Sequence, residues 1–144
     1  MKNEDHTRHW GTAWIILAAA IALHVADEVL TGFLPFYNSL VVSARESYSW
    51  LPFPTFTFPV WITGLIAGVL LMLAVSPFVF AGNRLLRPVS YFLAVLMTAN
   101  AFGHIAASIY MGKPAPGSYS SPILLAAAVA LLITTYRTGS LRRT

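Results

Sequence analysis

The chain is predicted to be all-α, a polytopic membrane protein built as a four-transmembrane-helix bundle with a proline- and aromatic-rich first extramembrane loop. Three observations predict this. Of the 144 residues, 57% are hydrophobic and only 10% charged, where soluble domains carry about 25% charged residues, and the mean hydropathy is +0.68. Four stretches, 12–33, 59–80, 89–110 and 119–136, are apolar over the roughly 20 residues that a spanning helix needs. The cations are also sorted by side. Four spans put both termini and the loop between the second and third spans together, with Lys2, Arg8, Arg84, Arg87, Arg137, Arg142 and Arg143, and leave Arg45 and Lys113 on the other side. Cytoplasmic loops are enriched in Lys and Arg, so both termini are expected in the cytoplasm and the protein in the cell inner membrane. The spans fill residues 1–144 as a single membrane domain, with no room for a soluble one. The formal charge of +4 then reflects topology and attraction to anionic head groups, not nucleic-acid binding.

The first segment has some features of a signal peptide, with Lys2 and Arg8 as its basic region and residues 14–25 as its apolar one. Against that reading, the apolar stretch continues to Phe33, and His24-Val25-Ala26 lacks the small residue wanted three places before cleavage. Between the first and second spans, the prolines of segment 34–58 forbid a regular helix, apart from a short interfacial one over 38–48. There Leu40, Val41 and Ala44 would face lipid, with Arg45 and Glu46 among the head groups. Trp50, Phe53, Phe56, Phe58 and Trp61 suit an aromatic belt or a lipid-recognising rim. In the second span, Gly64 and Gly68 form a small-xxx-small pattern that lets helix backbones approach closely. Packing inside the bundle accounts for it, and a homo-oligomer formed through Gly64 and Gly68 is the alternative. The tail, 137–144, is basic and expected to fray. There is no cysteine, which excludes disulfides, thiolate metal sites and cysteine nucleophiles.

Charge inside the spans is the main clue to function. An ionised carboxylate deep in a bilayer costs a few kcal/mol on lenient scales, yet Asp27 and Glu28 lie in the first span one turn from His24. Positions i, i+3 and i+4 project from one helix face, so the three side chains converge. The third span carries Asn100 and His104, also on one face. At about 1.5 Å per residue, His24 and Glu28 lie about 18 and 24 Å along the first span, and Asn100 and His104 about 17 and 23 Å along the third. The two clusters match in depth, in the outer half of the bilayer under this topology. His24, Glu28 and His104 supply two imidazoles and a carboxylate, a ligand set for a divalent metal, zinc or alternatively iron, with one position left open. Asp27 is then a fourth ligand, a partner orienting an imidazole, or a general base; Asn100 orients His104 or donates to a developing oxyanion. No serine is tied by spacing to a histidine, and a Ser-His-Asp arrangement would need Ser118, Ser120 or Ser121 to fold onto His104 with Asp27 behind it.

These residues resemble a known family. His24-Val25-Ala26-Asp27-Glu28, then Asn100-Ala101-Phe102-Gly103-His104-Ile105, then Pro116-Gly117 with Ser120 and Ser121, resembles the HXXEE domain family of small bacterial membrane proteins. That family has a His-x-x-Glu-Glu motif, a later Asn-Ala-x-x-His-Ile motif and a Pro-Gly element before the last span. The resemblance runs from His24 into the fourth span and implies an enzymatic role without naming a reaction. Asp27 stands where the family motif has Glu, so Glu28 is the firmer ligand.

The functional expectation is a metal-dependent hydrolase or transferase acting on a lipid or other small amphipathic substrate. Zinc would polarise an ester, amide or phosphoryl oxygen and activate water, with Asp27 or Glu28 taking the proton. Lys113, Ser118 and Ser120 would bind the substrate's head group, unless their loop is a plain connector, and Pro116-Gly117 would fix the turn above the site. A proton- or cation-linked binding or transport protein is a second reading. A haem protein with His24 and His104 as axial ligands is a third, and a purely structural partner subunit the last.

Overall fold

The structure, a computed structural model, describes residues 2–50 and 52–140, with side chains for 5–50 and 52–139. The side chain of Lys2, and Leu51, Arg142 and Arg143, lie outside the described residues. Five helices follow one another: α1 (Lys2–Thr31), α2 (Phe33–Ser47), α3 (Phe58–Phe80), α4 (Leu86–Met111) and α5 (Ser121–Ser140). Four of them, α1, α3, α4 and α5, are long and apolar enough to cross a membrane. Proline marks the starts, because the N–H it lacks has no acceptor in a helix's first turn. Pro35, Pro59, Pro88 and Pro122 occupy the first turns of α2, α3, α4 and α5. Pro77, inside α3, removes a bond to the Leu73 carbonyl, and the Ser76 hydroxyl donates to that carbonyl instead, at 2.7 Å.

Several expected boundaries shift. The helix that carries the expected first span, 12–33, runs from Lys2 and stops at Thr31, because Gly32 adopts the left-handed region (φ 76°) and turns the chain. Phe33 therefore opens α2, which begins five residues before the expected 38 since Pro35 fits its first turn. Val41, expected to face lipid, is buried, while Leu40 is exposed. Segment 52–57 has no helix, and α2 holds it. The Asn38 amide bonds both ways with the Phe56 backbone, Tyr37 donates to the Pro54 carbonyl and Arg45 to the Phe53 carbonyl. Helix α5 continues through Ser140, so the first part of the expected frayed tail is helical. There the Arg87 guanidinium donates to the Thr138 carbonyl and the Thr138 hydroxyl to the His6 carbonyl.

Helix α1 is central. It packs on α3 along one side and α5 along the other, and α4 packs on α5. Trp10, Trp14, Leu17 and Ala18 of α1 are almost wholly buried, against Val79 of α3, Ala94 of α4 and Leu124 and Leu131 of α5. Two hydrogen bonds pin the tryptophans: the Trp10 indole donates to Ser90 Oγ at 3.0 Å and that of Trp14 to the Met72 carbonyl at 2.8 Å. Helices α1 and α4 run parallel, since Trp10–Ser90 and His24–His104 share the same offset of 80 residues. Helix α3 runs antiparallel to α1. Met72 is level with Trp14, and Trp61, whose ring centroid is 6.2 Å from that of Phe33, is level with the end of α1.

Although consecutive, α3 and α4 do not pack along each other among the described residues. The result corrects the expected role of Gly64 and Gly68 inside the bundle. A Cβ at either position would meet nothing within 4 Å, so neither brings two helices of the chain together. Both instead line an apolar cavity of about 520 Å³ bounded by α1, α3 and α4.

Candidate metal centre

At the end of the bundle that carries α2 and the 112–120 turn, α1 and α4 bring His24, Glu28 and His104 together, all buried. The equal depth expected of the two clusters is the depth observed. His24 Nε2 lies 3.2 Å from His104 Nε2 and 3.5 Å from Glu28 Oε1, and His104 Nε2 lies 3.2 Å from the same oxygen. A tetrahedral ion bound at roughly 2.0–2.1 Å separates its ligand atoms by about 3.3 Å. The three edges bracket that length, so this group could hold a metal ion.

The hydrogen bonds behind the imidazoles turn both Nε2 atoms inward. His104 Nδ1 lies 2.5 Å from the Pro116 carbonyl, which can only accept, so Nδ1 carries a proton. Ser120 Oγ donates to Asp27 Oδ2 at 2.7 Å, leaving the hydroxyl to accept from His24 Nδ1 at 2.8 Å. In the neutral rings each Nε2 is then a lone pair, and together with Glu28 Oε1 the two face one centre, an arrangement that suits a cation.

The 112–120 turn forms the roof. Gly117, at φ 81°, lies so close that a Cβ there would come within 2.6 Å of the His104 ring and 3.1 Å of Glu28 Cγ. Its N–H donates to Thr31 Oγ1 at 2.9 Å and its carbonyl accepts from Ser121 Oγ at 2.8 Å. Ser108 bridges the His104 carbonyl and the Ala115 N–H, closing the turn onto α4. Phe33, from the start of α2, covers another side with its ring 5.1 Å from that of His104.

The other candidate residues are placed as follows. Asp27 stands beside the metal-ligand group and accepts both the N–H and the hydroxyl of Ser120. Ser120 is buried, with its hydroxyl committed to Asp27 and His24. No spacing ties a serine to a histidine, and it is the fold that brings Ser120 to His24. The arrangement differs from a Ser-His-Asp relay, because the serine bonds His24 and not His104, and Asp27 bonds the serine itself. Asn100 lies one turn before His104, whose orientation comes from Pro116; the Asn100 Oδ1 atom is buried without a hydrogen-bond partner. Lys113 is exposed in the turn and Ser118 half-buried.

Sequence reasoning missed Thr31, Phe33 and Ser108. Thr31 was the most accessible to it, being one turn from Asp27 and Glu28 on the same face. The two histidines are not arranged as haem ligands: axial nitrogens lie on opposite faces of a macrocycle, whereas these are 3.2 Å apart with rings edge to face and Glu28 beside both. The chain matches no protein-family model, no curated protein and no solved structure.

Proposed function

We propose that this chain is a metal-dependent membrane enzyme, a hydrolase or transferase acting on a lipid or similar amphipathic substrate, with zinc held by His24, Glu28 and His104. One observation carries the reading: three buried ligand atoms converge at the edge lengths of a zinc ligand set, and the hydrogen bonds behind both imidazoles turn their Nε2 atoms toward that centre. Iron would suit the same two imidazoles and carboxylate, and zinc is preferred for its indifference to a fourth ligand. Bound there, the ion would polarise an ester, amide or phosphoryl oxygen and make water acidic.

The chain's own groups take the remaining tasks. Glu28 would hold the ion through Oε1, and its Oε2 would be left to take a proton from water or an alcohol. Asp27 is a positioning residue that acts through Ser120 on His24, and the Asn100 amide contacts the substrate beside the reacting carbon. Lys113 and Ser118, at the mouth of the roof, are the groups for a head group. Membership of the HXXEE domain family is part of this proposal, resting on the three motifs. So is an inner-membrane location with cytoplasmic termini, which rests on the cation distribution and sets the site in the outer half of the bilayer.

Elemental mass spectrometry of the detergent-purified protein tests the reading, with His24→Ala, Glu28→Ala and His104→Ala beside the wild type. Near-stoichiometric zinc or iron in the wild type, lost in all three variants, is the expected result. Folded wild type without metal, or variants that keep it, would overturn the reading and move the weight to proton-linked binding or transport through the same carboxylate and imidazoles.

A further inference from the structure

We infer that the cavity between α1, α3 and α4 is the seat of a single hydrocarbon chain of the substrate, which holds the polar end of that molecule at His24, Glu28 and His104. The inference deepens the proposed function and rests on it for what happens at the polar end. The cavity is lined by Trp14 and Ile21 of α1, Gly64 and Gly68 of α3, and Leu93 and Met97 of α4, among other apolar side chains.

Its position ties it to the candidate metal centre. Ile21 lies one turn before His24 on α1, and Leu93 and Met97 share with Asn100 and His104 the repeating face of α4. On α3, the levels set by Trp14–Met72 and Phe33–Trp61 place Gly64 opposite Glu28. Two walls of the cavity thus run on into the residues of the centre, and the third reaches its depth at Gly64. Asn100 occupies the step between Met97 and His104 with its buried oxygen unsatisfied. An orphaned buried acceptor is costly, and a hydroxyl or amide N–H near the head of a chain would relieve it.

Shape and polarity select the occupant. From Gly64 to Val75 the cavity runs about 16 Å along α3, with an apolar lining whose α4 face leads to Asn100. A hydrocarbon chain carrying a polar head covers that lining and brings a donor to the Asn100 oxygen, and a second copy packed on Gly64 and Gly68 is the competing occupant that the test separates from it. Gly64 and Gly68 are the positions where any side chain would fill the cavity, and nothing else among the described residues approaches them.

The test is photocrosslinking of the full-length, metal-loaded protein in detergent with a long-chain fatty alcohol bearing a diazirine in the distal half of its chain, read by peptide mass spectrometry. Adducts are expected at cavity residues such as Ile21, Leu65 and Met97. Gly64→Leu and Gly68→Leu should each lower them about tenfold without changing metal content, and Met97→Trp, which narrows the slot from the opposite wall, should do the same. Adducts spread over outward side chains such as Leu30, Phe92 and Ile109, or unchanged in all three variants, would overturn the inference. A change of oligomeric state in the glycine variants would overturn it too, by assigning the face to a second copy. Crosslinking at the cavity in a protein that holds no metal would instead retain the chain seat and remove the proposed chemistry.

Discussion

The two halves of α1 use polar side chains in opposite ways. Near the termini the two buried indole donors of α1 each meet an acceptor: the Trp10 indole finds Ser90 and the Trp14 indole finds Met72, inside close-packed Leu17, Ala18, Leu124 and Leu131. Four turns on, the arrangement is different. His24, Glu28 and His104 bring three ring and carboxylate atoms within 3.5 Å of one another, and the groups behind them, Ser120, Asp27 and Pro116, hold them there. Hydrogen bonds in the first half hold helices together, as interhelical bonds in a bilayer commonly do. Those in the second half aim three potential ligand atoms at one centre, and that difference separates a structural polar group from a candidate site.

The largest effect should come from deleting an acceptor. His104→Ala removes one of the three ligand atoms, and metal affinity is expected to fall by more than about 100-fold, beyond the usual range for losing an outer partner. Competition with a chromophoric chelator would measure it. Retained affinity would mean that the three atoms do not act together, and the contrast between the halves of α1 would lose its functional side.

Next comes the support behind the ligands. Ser120→Ala takes away the acceptor for His24 Nδ1–H and leaves Asp27 without the hydroxyl, so metal affinity should drop by about 10–100-fold. Thermal stability should fall by about 1 kcal/mol, the cost of an orphaned buried donor, so the loss of affinity is the reading that separates support of the ligands from packing. Ser120→Thr, which keeps the hydroxyl, should restore part of the affinity. Equal losses in both variants would assign Ser120 to packing.

Gly117→Ala probes the roof. An L-residue in the left-handed region costs about 1–2 kcal/mol, and the new methyl must displace the His104 ring or Glu28. The variant should melt several degrees lower and bind metal more weakly, a combination that a core substitution away from the centre does not produce. An unchanged melting curve would show that the turn relaxes away from the centre and is not a fixed cover.

How much of this was legible in the sequence depends on what each residue does. His24, Glu28 and His104 stood out because ionisable groups are rare in apolar spans, and their shared depth followed from helix rise alone, since parallel spans keep a constant register. Proline misled at α2, where Pro35 breaks a helix in mid-segment but fits its first turn. Gly64 and Gly68 misled for a different reason: small residues look alike whether they face a helix or an empty slot, and only the placement of α4 away from α3 decides between them. The contacts of Ser120 and Pro116 depend on the path of the 112–120 turn through Gly117, and turn paths leave no periodicity to read. Thr31 had the spacing but not the chemical rarity that would have drawn attention to it.

The smallest effect belongs to the other half of α1. Ser90→Ala leaves the wholly buried Trp10 N–H without its acceptor. Interhelical hydrogen bonds in membranes average about 0.6 kcal/mol, and an orphaned buried donor adds to that, so a loss of about 1 kcal/mol is expected. For a chain of this size that is a drop of about 4 °C in melting temperature. Metal affinity should stay at the wild-type value, because Trp10 and Ser90 lie four turns from the ligands and share no hydrogen bond with them. Measured beside Ser120→Ala, the two serines separate: both substitutions lower stability, but only Ser120→Ala should also weaken metal binding, though each hydroxyl accepts one N–H from α1. If Ser90→Ala also weakened metal binding, the register of α1 against α4 would be the common element, and the two halves of α1 would have to be treated as one lever and not as a frame with a site built on it.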